Sequence, residues 1–297
     1  MINMINLGEL VTAMVTPFDE GFSLDLKRAF NLGKHLIKNG TDCILISGTT
    51  GESPTISDEE KLDLFKFMKK EFGNEVKIMA GTGSNDTRHS IELSKKAEQI
   101  GVDALLVVGP YYNKPTQTGL YRHFEAIAEA VRTPIIIYNV PSRTSCNIDA
   151  STTIELSKIA NIVGVKEASG NLGQVAEISK QTPGGFAIYS GNDSDTLPIL
   201  ILGGQGVISV ASHIIGLKIK EMIKLFKDSN LSGAKDIHLN LMELFKAIFI
   251  VTNPIPIKKA LNLMGIEVGK PRLPLLDMEG KELEEFKHIL IRYNIIK

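Results

Sequence analysis

The chain has 297 residues, a formal net charge of −1 and 43% hydrophobic residues, which is enough to bury a large core and suits an α/β barrel with an extension. With no long basic block, it lacks the electrostatic footprint of a protein that binds nucleic acid or an anionic membrane, so a small-molecule partner is expected. Cys43 and Cys146, its two cysteines, form no CxxC pair or Cys/His cluster of metal-ligand spacing, and no apolar stretch reaches membrane-spanning length, so a cytoplasmic protein with no metal is expected.

Short β-branched runs alternate with segments of helical period along most of the chain. The predicted strands lie near Val11–Val15, Cys43–Ser47, Val76–Ala80, Ala104–Val108, Ile135–Asn139, Ile162–Lys166, Phe186–Ser190 and Gly206–Val210. Between them, Asp58–Phe72 repeats apolar residues at three-to-four spacing through Leu62, Phe65, Met68 and Phe72, with Ser57 as cap and Glu60 completing a capping box. Thr87–Ile100 and Gly119–Val131 repeat the pattern. About eight units of about 25 to 30 residues fit a (β/α)8 TIM barrel better than an open doubly wound sheet, and no GxGxxG follows the first strand. The barrel is assigned to residues 1–225. From 226 to 297 the chain turns helical through Gly233–Phe249, Pro256–Leu263 and Lys281–Tyr293, a three-helix extension too small for an easy core of its own.

In such a barrel the chemistry belongs on loops at the C-terminal ends of the strands, where the unusual residues fall. Gly48-Thr49-Thr50-Gly51-Glu52-Ser53 follows the second strand and can turn hydroxyls and backbone N–H groups toward a carboxylate, although such a cluster also describes an ordinary turn. It lacks the lysine of a Walker loop. Tyr111-Tyr112-Asn113-Lys114-Pro115 follows the fourth strand, and its aromatics read equally as packing. Tyr138 ends the fifth strand, and the loop after it carries Arg143; they are either a capping aromatic and a solvated cation, or a proton shuttle and a carboxylate fork. Lys166 ends an apolar run, where it is either solvated at the strand end or desolvated into a neutral amine able to form a Schiff base.

Gly48-Thr49-Thr50-Gly51-Glu52, Tyr111-Tyr112-Asn113-Lys114-Pro115, Tyr138-Asn139-Val140-Pro141-Ser142-Arg143-Thr144, Gly164-Val165-Lys166-Glu167-Ala168-Ser169-Gly170 and Ser190-Gly191-Asn192-Asp193, in this order over the whole chain, resemble the dihydrodipicolinate synthase family. The resemblance implies a Schiff base between Lys166 and pyruvate, and condensation with L-aspartate 4-semialdehyde to a 4-hydroxytetrahydrodipicolinate of diaminopimelate and lysine synthesis. It implies proton transfer through Tyr138, Thr49 and Tyr112, the last reaching in from an adjacent subunit. Thr50 is implied to hold the pyruvate carboxylate, with Gly191 and Ile208 beside it, and Arg143 the carboxylate of the aldehyde. No metal or dissociable cofactor is implied, and the assembly is a homo-oligomer, most often a tetramer built as a dimer of dimers.

Family members inhibited by lysine carry an effector site whose asparagine and tyrosine match Asn85 and Tyr111, while Lys61 and His89 stand where a histidine and a glutamate are expected. That exchange removes charge complementarity to lysine, so weak or absent feedback inhibition is expected. Sister aldolases acting on a sugar acid such as N-acetylneuraminate share single motifs but have less use for Arg143. A barrel that binds pyruvate without chemistry is disfavoured by the joint presence of Lys166, Tyr138, Thr49 and Tyr112.

Overall fold

Strands covered on both faces have no polar side to alternate, and the apolar runs of this chain form such strands. The computed structural model describes residues 6–297. In it β1 (Leu10–Ala13), β2 (Cys43–Ile46), β3 (Lys77–Gly81), β4 (Ala104–Val108), β5 (Ile135–Asn139), β6 (Ile162–Glu167), β7 (Ala187–Ser190) and β8 (Gly206–Ser209) close into a parallel barrel in chain order. Leu10 pairs with Val207 and Val11 with Cys43, which closes the ring. The fold is the expected TIM barrel.

Side chains alternate between two apolar clusters. Val11, Cys43, Leu45, Met79, Leu106, Ile136 and Ile208 fill the barrel interior, while Ile44, Ile46, Ile78, Leu105, Ile135 and Ile137 face the surrounding helices. β6 breaks the alternation. Ile162 pairs with Ile135, but Gly164 pairs with Ile136, so one extra residue, Val163, enters the strand. A bulge of one residue reverses the faces of everything after it. Without it Lys166 would share the outward face of Ile162; with it Val165 faces the helices and Lys166 faces the barrel interior. Gly164 permits the close approach this needs, since a Cβ there would lie 2.4 Å from the carbonyl oxygen of Ala187.

Helix Asp58–Phe72 carries the predicted capping box between Ser57 and Glu60. Two other helices begin two residues before the periodicity predicts, because side-chain caps rather than apolar residues set their starts. Thr116 accepts from the Gly119 N–H ahead of helix Gln117–Ala130, and Asn230 accepts from the Gly233 N–H ahead of helix Leu231–Ala247. Helices Leu231–Ala247, Ile255–Leu263 and Gly280–Arg292 form the C-terminal extension, and the division expected at residue 225 falls inside the preceding helix, Ser212–Lys227. Leu241, Leu244, Ile257, Leu261, Phe286 and Leu290 belong to the same apolar cluster as the outer faces of the strands, so extension and barrel share one core. Among the described residues no helix is long and apolar enough to cross a membrane.

Candidate active site

The loop after β2 is held by its backbone and by the extension. Gly51 is packed so tightly that a Cβ would lie 3.0 Å from the Ser47 nitrogen, and Glu52 takes a left-handed backbone conformation with φ +57°. Side chains rarely adopt that region without compensating contacts. Here the Glu52 carboxylate accepts from Lys258 Nζ at 2.6 Å and from the Arg272 N–H at 2.8 Å. Both side chains of the Glu52–Lys258 pair are 1% exposed, and burial pulls the Lys258 ammonium down to about 8 against the pull of Glu52. Thr50, also buried, accepts from Asn253 Nδ2 at 3.0 Å. Lys258→Met is expected to destabilise the fold by about 3–5 kcal/mol by stranding a buried carboxylate. Denaturant titration measures it, and adding Glu52→Gln should restore much of the loss.

Lys166 stands on the inner face of β6, 5% exposed, opposite Tyr138 of β5 and Tyr189 of β7. Its Nζ lies 4.3 Å from the centroid of the Tyr138 ring. Burial pulls the ammonium down to about 7, opposed by the negative charge of Asp193 and assisted by the positive charge of Arg143. At neutral pH a large share of this lysine is therefore the free amine, the form that attacks a carbonyl. Burial pushes the Tyr138 phenol up, while the Arg143 charge and hydrogen bonding to the Thr49 side chain act in the opposite direction. The phenol thus keeps its proton at neutral pH, as a shuttle between substrate positions requires.

Asp193, just beyond β7, belongs to the Ser190-Gly191-Asn192-Asp193 run, but the sequence alone assigns it no role. It is buried, accepts from Ser209 Oγ at 2.5 Å and from the N–H groups of Val210 and Ala211 at 3.1 Å each, and burial pushes its carboxyl up. Its one available signal was an acid at a strand end directly after the Ser190-Gly191-Asn192 turn. Asn253 was missed as well, because it lies in a loop of the extension and its partner Thr50 is two hundred residues upstream.

Thr49, Tyr138 and Arg143 line one cavity of about 250 Å³ at the C-terminal mouth of the barrel, together with Tyr111 and Val140. Lys166 and Thr50 are buried beside these residues. Ile208 is fully buried in the barrel interior. The Gly191 N–H donates to the Glu167 carbonyl at 2.7 Å, which leaves Gly191 only its carbonyl and Cα surface for a substrate. Tyr112 is not brought into the site of its own chain: it is 89% exposed on a backbone with φ +75°. An adjoining cavity of about 390 Å³, which shares Tyr111 with the first, gathers Asn85, Tyr111, Lys61 and His89. Asp58 joins them there, accepting from His89 Nε2 at 2.8 Å and lying 3.5 Å from Lys61 Nζ.

A sequence model described as the Dihydrodipicolinate synthetase family matches residues 6–292. The 4-hydroxy-tetrahydrodipicolinate synthase of Desulforudis audaxviator is 49% identical over 286 residues, which span 96% of this chain and 97% of that protein. That of Dehalococcoides mccartyi strain 195 is 51% identical over 292 residues and 98% of both chains. Among solved structures, a dihydrodipicolinate synthase from Bacillus anthracis superposes with a TM-score of 0.95 at 43% identity, covering 97% of this chain and 99% of that one. An enzyme from Cyanidioschyzon merolae with lysine bound also gives 0.95, at 45% identity over 98% and 99% of the two chains.

Proposed function

The chain belongs to the dihydrodipicolinate synthetase family, and from that premise we propose that its barrel joins pyruvate to L-aspartate 4-semialdehyde through a Schiff base on Lys166, giving 4-hydroxy-tetrahydrodipicolinate for diaminopimelate and lysine synthesis. The observation that carries the reading is the inward-facing, desolvated amine of Lys166 against the phenol of Tyr138. The amine attacks the pyruvate carbonyl and water leaves; the resulting iminium draws electrons from the methyl carbon, which loses a proton to become the nucleophilic enamine. That carbon bonds to the aldehyde carbon, and attack of the α-amine on the imine carbon closes the ring and frees Lys166.

Tyr138 carries protons to and from these centres with Thr49. Thr50 takes the pyruvate carboxylate, with the Gly191 carbonyl and Ile208 bounding the site, and Arg143 offers a planar two-pronged donor to the carboxylate of the aldehyde. No dissociable cofactor enters this chemistry. The high exposure of Tyr112 supports its insertion into a neighbouring subunit, and hence a homo-oligomer, a tetramer of two such dimers. Free thiols at Cys43 and Cys146 fit a reducing cytoplasm.

The test is a coupled assay with pyruvate and aspartate semialdehyde. Turnover is expected, and Arg143→Ala should raise KM for the aldehyde by at least about tenfold while pyruvate imine formation persists. Cleavage of a sugar acid in place of this condensation would refute the assignment. In the second cavity Asp58 is engaged by both Lys61 and His89, which leaves it poorly placed to receive an incoming ammonium and supports weak or absent inhibition by lysine. Turnover should accordingly hold at submillimolar L-lysine; a sharp fall there would contradict the reading.

A further inference from the structure

The carboxylate-binding hydroxyl of Thr50 is tied to a residue from the far end of the chain. Asn253 lies in the loop leading into helix Ile255–Leu263 of the extension, is 4% exposed, and donates from Nδ2 to Thr50 Oγ1 at 3.0 Å. A hydroxyl has a single proton and two lone pairs. An amide N–H on one lone pair fixes the rotation of the group and leaves its proton to be given elsewhere. The backbone carbonyl of Asn253 also accepts a long contact of 3.4 Å from Arg143 Nη2. One residue thus touches both groups assigned to substrate carboxylates. The segment is anchored nearby, where Lys258 meets the buried carboxylate of Glu52 two residues beyond Thr50.

Asn253 is not placed there for its own comfort. Its Oδ1 is buried with no partner among the described residues, and an unpaired buried acceptor lowers stability. An apolar residue of similar shape would leave neither Oδ1 unpaired nor Thr50 oriented.

We propose that Asn253 is a positioning residue for pyruvate, contributed by the C-terminal extension, whose side-chain N–H turns the Thr50 hydroxyl proton toward the substrate carboxylate. The assignment rests on the function proposed above and adds to it a part for the extension. Asn253→Ala frees that hydroxyl to rotate. Asn253→Asp has the same shape but only acceptors at neutral pH, so it takes the Thr50 proton for itself and sets a negative charge beside the substrate's.

Steady-state kinetics on purified full-length protein provide the test. Asn253→Ala should raise KM for pyruvate about tenfold with kcat within about threefold, and still be trapped fully by borohydride at saturating pyruvate. Asn253→Asp should raise KM further, and being isosteric it carries the test if the alanine variant does not fold. In a Thr50→Val background, Asn253→Ala should change KM by less than about twofold, because its effect passes through that hydroxyl. A merely structural role would give losses that multiply, and that result, or an unchanged KM in both single variants, overturns the proposal. A wild-type protein that forms no imine overturns the proposed function itself, whereas normal wild-type trapping with unchanged variants removes only this role.

Discussion

Lys166→Ala should lower turnover on the order of 10⁴-fold or more, because no other amine takes its place on the inner face of β6. The loss is chemical rather than structural: Lys166 makes no ion pair among the described residues, and its removal relieves the burial that pulls its ammonium down to about 7. The folded state is therefore expected to be as stable as the wild type or more so in the acidic range. There the sign can be worked out. With a folded pKa below the unfolded one, the wild type pays the cost of a buried charge fully below about pH 7, and that cost fades as pH rises toward the ordinary lysine range. Thermal melts of both proteins at pH 6 check the fold, and turnover at pH 8 checks the chemistry.

Tyr138→Phe should lower kcat by about 10²- to 10⁴-fold, the span associated with losing a positioned proton-transfer group. The ring that packs against Lys166 Nζ is kept, so the amine's surroundings change little. What disappears is the hydroxyl, whose pKa is pushed up by burial and which therefore holds a proton to give at neutral pH. Both the loss of water on imine formation and the removal of the methyl proton should slow. Single-turnover trapping with pyruvate separates the two: slowed imine formation marks the first step, and slowed exchange of the methyl protons with deuterated solvent marks the second.

Much of this arrangement was legible in the residues. Completely buried strands are runs such as Ile135-Ile136-Ile137, and their ends placed Tyr138, Thr49 and Lys166 on one rim because parallel strands joined by helices all finish on the same side. Side-chain direction was not legible. Strict alternation from Ile162 turns Lys166 outward, and only the extra residue at Val163, recognised from pairing with β5, turns it inward. Partners distant in the chain were equally hidden. Nothing local ties Asn253 to Thr50 or Lys258 to Glu52, since those contacts depend on how the extension docks on the barrel. Asp193 was visible as an acid in a turn, yet its influence on Lys166 needs β7 and β6 to be neighbours. Tyr112 shows the converse: its motif is plain, but its own chain leaves it in solvent. The helices capped by Thr116 and Asn230 start two residues before the periodicity places them, because periodicity reports the buried face and says little about the polar cap.

The proposed function turns on Lys166 being a nucleophile made available at neutral pH by its burial on the inner face of the barrel. Its most direct measurement is peptide mass spectrometry after incubation with pyruvate and borohydride across a pH series, with Lys166→Ala as control. One carboxyethyl group per chain is expected, on Lys166 alone, formed at an initial rate that rises with pH, levels off well above about 7, and one unit below that value is roughly tenfold lower than on the plateau. An unmodified wild-type protein, or a label on any other lysine that persists in Lys166→Ala, would contradict it.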